Sequence, residues 1–206
     1  MPTDNAIRLH GFPLSGHSHR VSLFLSLLGL PHQTIHVDLA AGAHKKPDFL
    51  AMNPFGLVPV LQDGEITLAE SNAILVYLAM RYGDASWLPR DPVGAARVER
   101  WLSIAAGPLA SGPALARIRV VFGKTEPEAE LIARSHALLT VMDAELAGTL
   151  FLVGATPTIA DIACYSYVAH APEGKVSLDA YANVRAWLAR IEALPNFVGM
   201  PAAPQA

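Results

Sequence analysis

Residues 7–31, IRLHGFPLSGHSHRVSLFLSLLGLP, contain the change of hydrophobic period that decides the fold. Apolar and polar residues alternate over residues 7–10, as in a short strand with one buried face. From residue 18 onward the apolar residues recur three or four positions apart, which is the spacing of one helix face. Gly29 and Pro31 are typical of a helix end. The stretch therefore predicts a strand that is followed directly by a helix.

The segments that follow extend this unit to a small sheet. Residues 33–39, QTIHVDL, predict a second strand, and a strand, a helix and a strand in so short a length favour a parallel βαβ unit. Asp63-Gly64 lies between two short apolar runs and predicts a hairpin. A helix over residues 69–83 closes the set. We therefore expect an α/β domain of thioredoxin-like type, with the order βαβ-ββα and a four-stranded mixed sheet.

The rest of the chain predicts helices only. The composition changes at residues 84–91, DASWLPRD, so we expect a thioredoxin-like domain over residues 1–83, a linker over 84–91 and an all-α domain over 92–206. Two prolines and two glycines predict a break in the helices at 107–113. Thr158, three residues before Asp161, predicts a structural capping box at a helix start.

Composition and charge exclude several classes of protein. The 206 residues are 52% hydrophobic and 16% charged, which is an ordinary globular composition. The net charge of −3, without a basic patch, argues against a nucleic-acid partner. Cys164 is the single cysteine, which fits a reducing compartment and an inert core thiol. We find no signal peptide and no membrane span, so we expect a cytoplasmic protein.

The junction between the first strand and helix predicts a site for a thiolate. The first N–H groups of a helix lack partners inside it, and the helix dipole adds positive potential. Thioredoxin-like proteins carry a Cys-x-x-Cys pair here. This chain has residues 15–18, Ser-Gly-His-Ser, so the thiol must come with a ligand. Spacing favours Ser15 as the hydrogen-bond donor to sulfur, while Ser18, His17 and the helix end alone stay open.

Four motifs resemble those of the cytosolic glutathione S-transferases, of the serine-type bacterial and theta-like kind. They lie in family order at residues 13–31, 42–64, 68–79 and 158–167. The resemblance implies a homodimeric enzyme without a permanently bound cofactor, in which Ser15 is catalytic. Glutathione would be the cosubstrate, and its thiolate would add to a small hydrophobic electrophile.

The resemblance also implies which residues hold glutathione. Spacing alone makes Pro59 an edge-strand proline, whereas the family implies a cis Val58-Pro59 peptide whose Val58 backbone pairs with the cysteinyl unit. Glu70 and Ser71 would bind the γ-glutamyl end, although spacing alone favours an ordinary helix cap.

The remaining candidate residues are less specific. His44 is implied at the glycyl carboxylate, and Lys45 is equally consistent with a solvated basic loop. His17 is a second candidate donor near the sulfur. The candidates for the electrophile pocket are Leu14, Leu109, Ser111, Ile118, Phe122 and Tyr165.

Three alternatives remain open on the same sequence. The first is reduction of a disulfide or peroxide by glutathione, or isomerisation, since Ser15 and Ser18 match the serines of the zeta class. The second is a binding protein without catalysis, which the presence of both Ser15 and the Glu70-Ser71 pair argues against. The third is a metal carrier, because six of the 8 histidines precede residue 45. Their spacings do not match a zinc site, so we predict no metal.

Overall fold

The structure is a computed structural model that describes residues 6–204. The first half consists of β1 (Ile7–Gly11), α1 (Gly16–Leu27), β2 (His32–His36), α2 (Pro47–Met52), β3 (Val60–Asp63), β4 (Ile66–Ala69) and α3 (Ser71–Arg81). The second half consists of α4 (Pro92–Ala106), α5 (Leu115–Val121), α6 (Ala129–Leu146), α7 (Ile159–Ala169) and α8 (Ala182–Glu192).

The four strands form one mixed sheet in the order β2-β1-β3-β4. β1 pairs in parallel with β2, while β3 is antiparallel to both β1 and β4, which confirms the predicted βαβ-ββα order. The predicted second strand is too long at its end, because β2 stops at His36. There the Asp38 carboxylate accepts a hydrogen bond of 2.9 Å from the Ala41 N–H and turns the chain.

The helical half contains the break that its glycines and prolines predict. A short π-helical segment, Ala110–Ala114, connects α4 to α5, and Gly112 leaves helical geometry inside it (φ −112°, ψ −105°). Residues 82–91 link α3 to α4 without a helix or strand. The domain limits at 83 and 92 stay a prediction.

One continuous hydrophobic cluster joins the two halves. It runs from β1 and α1 through α3 to α4, α7 and α8. The Phe24 ring of α1 lies 5.0 Å from the Trp87 ring of the connecting segment, in an edge-to-face arrangement. A smaller cluster of Val37, Phe49 and Val60 lies beside it. Burial of each large side chain contributes about 1.5–3 kcal/mol, so the two halves hold one another in place.

The predicted capping box at the start of α7 is present and buried. Thr158 accepts a hydrogen bond from the Ala160 N–H, and the Asp161 carboxylate accepts one of 2.8 Å from the Thr158 N–H. Asp161 also accepts from the Leu152 N–H and the Trp187 indole, both at 2.9 Å. Cys164 lies on the same helix, fully buried, and burial raises its pKa to about 12. The thiol is therefore protonated and inert.

Candidate active site

Ser15 directly precedes α1, at the end of the short loop that connects β1 to this helix. Its extended backbone (φ −86°, ψ 116°) makes it the N-cap, and its Oγ accepts a hydrogen bond of 3.2 Å from the Ser18 N–H. The first turn of α1 carries no acidic residue. No acidic side chain neutralises the helix end, where the Gly16 and His17 N–H groups face the Tyr167 hydroxyl. The half-buried Ser15 hydroxyl keeps its proton for another acceptor.

The two rival donors beside Ser15 have other contacts. Ser18 is 5% exposed, and its Oγ accepts a hydrogen bond of 3.1 Å from the Phe12 N–H. His17 places Nδ1 3.0 Å from the Ser71 Oγ. Burial, and then the charge of Arg20, lower the His17 pKa to about 3, so this imidazole is neutral. Ser15 is the more exposed of the two hydroxyls, and this difference favours it over Ser18.

A small cleft of about 60 Å³ opens beside the start of α1. Its lining consists of His17, Asn53, Leu57, Val58, Pro59, Glu70 and Ser71. Five of these are predicted glutathione-site residues, drawn from three separate motifs. The sequence analysis missed Asn53 and Leu57. Asn53 is 1% exposed and donates a hydrogen bond of 2.8 Å from Nδ2 to the Leu57 carbonyl, so it braces the loop before β3. An Asn-Pro dipeptide, which marks turns, is the signal for it.

Two backbone features shape this cleft. The Val58-Pro59 peptide is cis, as the resemblance implied. Glu70 has a positive φ of 67°, which is unusual for a residue other than glycine. Its side chain makes no capping hydrogen bond to α3, so an ordinary cap does not account for it. A positive φ at a residue such as Glu70 costs about 1–3 kcal/mol, and such strained residues are concentrated at functional sites.

His44 and Lys45 do not line the small cleft. The Lys45 Nζ donates to the carbonyls of Phe55 and Gly56, at 3.2 and 3.0 Å. Gly56, with φ 59°, turns the loop so that both carbonyls meet this ammonium. Lys45 therefore braces this loop, and its contact with glutathione stays a prediction. His44 is half-buried, and its Nδ1 is buried without a hydrogen-bond partner.

A second, larger cleft of about 870 Å³ lies against the helical half. Its lining consists of Leu14, Val120, Val121, Phe122, Lys124, Pro172, Glu173, Lys175, Ala202, Ala203 and Pro204. Only Leu14 and Phe122 belong to the predicted electrophile pocket.

The other four candidates for that pocket lie elsewhere. Leu109 and Tyr165 are buried in the core, and Ser111 and Ile118 are exposed away from the cleft. The predicted break is present as the π-helical segment, and the last residues of α5, Val120 and Val121, line the cleft together with the turn that follows.

Arg117 ties the Ser15 loop to the helical half. Its guanidinium is almost fully buried, pairs with Glu173 at 2.7 Å and donates a hydrogen bond of 2.7 Å to the Leu14 carbonyl. Burial alone would raise the Glu173 pKa, but hydrogen bonds from His170, the Ala203 N–H and Arg117 hold it below its usual value. The carboxylate is therefore ionised, and it anchors both Arg117 and the C-terminal segment.

Comparison with known proteins identifies the family. Residues 14–81 match the glutathione S-transferase N-terminal domain, and residues 108–195 match the C-terminal domain. Glutathione S-transferase 3 of Zea mays is 36% identical over 205 residues, which cover 93% of this chain and 91% of that protein. The chain belongs to the glutathione S-transferase family.

Solved structures of glutathione S-transferases agree over nearly the whole chain. The enzyme from Pseudomonas fluorescens is 34% identical, with a TM-score of 0.89 over 95% of this chain and 99% of that one. A homologue from Drosophila mojavensis with bound glutathione is 31% identical, with a TM-score of 0.81 over 92% of this chain and 89% of that one. These matches confirm the predicted family and fold.

Ser15 is not among the lining residues of either cleft, but its neighbours in the chain line both. Leu14, the residue before it, lines the large cleft, and His17, two residues after it, lines the small one. Within residues 6–204 no three metal-ligating side chains come together. No helix in this described part is long and apolar enough to cross a membrane.

Proposed function

We propose that this protein joins the sulfur of glutathione to a small hydrophobic electrophile, with the Ser15 hydroxyl donating a hydrogen bond to the thiolate. Glutathione transferase activity follows from the family to which the chain belongs. The observation that carries the role of Ser15 is its position at the start of α1, with Leu14 before it on the wall of the large cleft and His17 after it on the wall of the small one. Glutathione binds across the small cleft and extends beyond it, and the electrophile occupies the large cleft.

The size of the required effect fits one hydrogen bond and one helix end. A free thiol ionises near pH ~8.5, and lowering its pKa by about two units needs about 2.7 kcal/mol. A hydrogen bond to a charged group contributes about 1.5–3 kcal/mol. A helix N-terminus adds about 0.3–1 kcal/mol. Ser15 and the start of α1, which carries no acidic side chain, therefore suffice.

The start of α3 suits the γ-glutamyl end of glutathione. Ser71 lies there, and the Arg20 guanidinium donates from Nη1 to the Ser71 Oγ at 3.2 Å. Arg20 is fully buried, so its positive charge reinforces the helix dipole toward a carboxylate. Glu70 supplies a negative charge for the ammonium, and the Val58 backbone pairs with the cysteinyl unit. His44 stays a proposed contact of the glycyl carboxylate.

The reaction needs no covalent bond to the protein. The thiol proton leaves to water, and the thiolate attacks the electrophilic carbon. A carbon–sulfur bond forms while the leaving group departs with its bonding pair, or the electron pair moves onto an activating group in an addition. The protein contributes nucleophile activation and positioning.

A protein thiol does not support the rival reductase chemistry. Cys164 is buried and protonated, so reduction through a cysteine of this chain has no nucleophile. A route with two glutathione molecules, or isomerisation, would use the same Ser15 site and would be separated by its products.

Homodimer formation and a cytoplasmic location complete the proposal. Phe55 is 75% exposed and Met80 is 51% exposed, which is unusual for large apolar side chains and fits a covered face. The dimer is tested by the mass in solution, measured by light scattering after gel filtration. Cell fractionation tests the location.

An ultraviolet difference titration of bound glutathione against pH tests the role of Ser15. We expect a thiolate signal near neutral pH in the wild type and its loss in Ser15→Ala, with glutathione still bound. Ser103→Ala, an exposed serine on α4, is the matched control and should keep the signal. A signal unchanged in Ser15→Ala would transfer the role to the helix end. Binding without a thiolate in any variant would favour the binding-protein alternative.

A further inference from the structure

We infer that the large cleft takes electrophiles that carry a carboxylate on an apolar body, and that Lys124 and Lys175 recognise the carboxylate. The inference rests on the proposed function, since it names the substrate class of the same site. The apolar body follows from the walls of the cleft, because eight of its eleven lining residues are apolar. A volume of about 870 Å³ is of the size that holds a drug-sized molecule.

The charges in this cleft are unbalanced in favour of cations. Among the described residues, Glu173 is the only acidic side chain that lines the cleft, and it already accepts hydrogen bonds from Arg117, His170 and the Ala203 N–H. Lys124 and Lys175 have neither an ion pair nor a hydrogen bond from their ammonium groups to any residue within 6–204. Two free ammonium groups in a chain with a net charge of −3 create a local positive potential.

Backbone geometry does not explain why these two residues are lysines. Lys124 has φ 48° and Lys175 has φ 63°, and both follow a glycine. Glycine or asparagine fits such a left-handed position with less strain. A long cationic side chain at each position therefore has a reason outside local conformation.

Close packing fixes one of the lysines to the cleft wall. Gly174 approaches α5 so closely that a Cβ there would lie 2.5 Å from the Arg117 backbone nitrogen. The turn that carries Lys175 is thus held against α5, with little room to move away. Arg117 also has a buried Nη2 without a hydrogen-bond partner.

The position of Ser15 orients such a substrate. Leu14 marks the wall nearest the thiolate, so the reacting carbon lies on that side. The apolar body lies along the valines and Phe122, and the carboxylate lies toward the lysines. With 4-chloro-3-nitrobenzoate, the thiolate attacks the carbon that bears chlorine. A carbon–sulfur bond forms, and chloride leaves with the bonding electron pair.

The test compares 4-chloro-3-nitrobenzoate with 4-chloro-3-nitrobenzamide at saturating glutathione. Dividing each kcat/KM by the uncatalysed rate with glutathione removes the difference in intrinsic reactivity. We expect the wild type to favour the carboxylate about three- to tenfold, as two exposed charge pairs allow. Lys124→Gln/Lys175→Gln should remove this preference and leave the rate with the amide within about twofold. Added salt should weaken the preference through screening.

Two controls separate a local effect from a general one. Lys124→Arg/Lys175→Arg keeps both charges and should keep the preference. Arg185→Gln removes one exposed charge on α8 and should change nothing. Equal acceleration of both substrates by the wild type would overturn the inference. So would an equal loss for both in the double Gln variant, or a loss of the preference in Arg185→Gln.

A binding measurement keeps the inference separate from the proposed function. The two reaction products, the glutathione conjugates with carboxylate and with amide, are titrated by calorimetry and need no turnover. Tighter binding of the carboxylate conjugate that disappears in the double Gln variant would support the anion site even where no catalysis is seen. Equal affinities would overturn it, whatever the activity.

Discussion

The starts of α1 and α7 have opposite characters. α7 begins at a hydroxyl and a buried carboxylate, and Asp161 accepts hydrogen bonds from the Leu152 and Thr158 N–H groups and from the Trp187 indole. α1 begins at a half-buried hydroxyl, with no acidic residue in its first turn. It packs against the far end of α7, where the Tyr167 ring lies against Gly16 and 5.2 Å from the His17 ring.

The difference teaches how the same helix feature serves two purposes. A helix start whose donors are all satisfied contributes stability and can bind nothing further. A helix start without an acidic side chain keeps its positive potential, which costs stability but can hold an anion. We call the start of α7 closed and the start of α1 open. The closed start supports the open one, because α7 carries Tyr167, against which α1 packs. The predictions below test this division, from the largest expected effect to the smallest.

Asp161→Ala should cause the largest loss of stability. It leaves the Leu152 N–H, the Thr158 N–H and the Trp187 indole buried without an acceptor, which costs about 3–5 kcal/mol. Urea unfolding measures the change. Asp143→Ala is the matched control, since its half-buried carboxylate accepts from the first N–H groups of α8. It should cost about 1 kcal/mol, and an equal loss in both variants would contradict the special position of Asp161.

Acid should weaken the open start through His17. Because burial lowers its folded pKa to about 3, against 6.5 in the unfolded chain, the unfolded state binds more protons below pH 6.5. Stability is therefore complete above pH 6.5 and falls as the pH drops toward 3. At pH 4 the loss from this one group is about 3 kcal/mol. Urea unfolding of His17→Gln at pH 7 and 4 should show a correspondingly smaller loss, and an equal loss would refute the assignment.

Gly16→Ala tests the contact between the start of α1 and Tyr167, which lies near the end of α7. A Cβ at this position would lie 2.7 Å from the Tyr167 ring, which is buried and cannot move aside. Overpacking of this kind costs about 1–3 kcal/mol, and we expect thermal unfolding at a lower temperature. Gly148→Ala places its Cβ in open space and is the control. Equal melting of the two variants would show that the contact is loose.

Removing the same hydroxyl from each start gives the sharpest comparison. Thr158→Ala should cost about 1 kcal/mol in the free energy of unfolding, as for other N-caps, and leave the bound thiolate unchanged. Ser15→Ala should cost less stability and remove the thiolate. Urea unfolding and the ultraviolet titration measure both quantities on both variants. The division fails if the two hydroxyls have interchangeable effects.

Local features of the fold could be predicted because local sequence determines them. The period change at residues 7–31, the Asp63-Gly64 hairpin and the Thr158 capping box each depend on neighbours in the chain. The small cleft was also accessible, since its parts lie in recognisable motifs. The hydrogen bonds of Lys45 to the Phe55 and Gly56 carbonyls were not predicted, because residue spacing does not show how the loop folds back.

The large cleft could not be predicted in the same way. Tertiary packing brings the turn at 172–175 and the segment at 202–204 to the end of α5. The spacing of apolar residues along the sequence does not predict this contact. Arg117 resembles an ordinary surface residue of a helix until Glu173 and the Leu14 carbonyl are seen around it. Cleft residues that depend on such contacts between distant parts of the chain can be identified only from the structure.

The continuous core limits how this chain can be recombined with its relatives. Phe24 packs on Trp87, and Gly16 packs on Tyr167, so the packing surfaces of the two halves are complementary in shape. A chimaera that joins residues 1–83 to the helical half of another family member must preserve both contacts at once. Where the donor half lacks a matching surface, the product exposes apolar side chains and aggregates, even though each half is native in its own parent. A stable chimaera therefore needs both halves from the same parent, or a donor half with a matching surface.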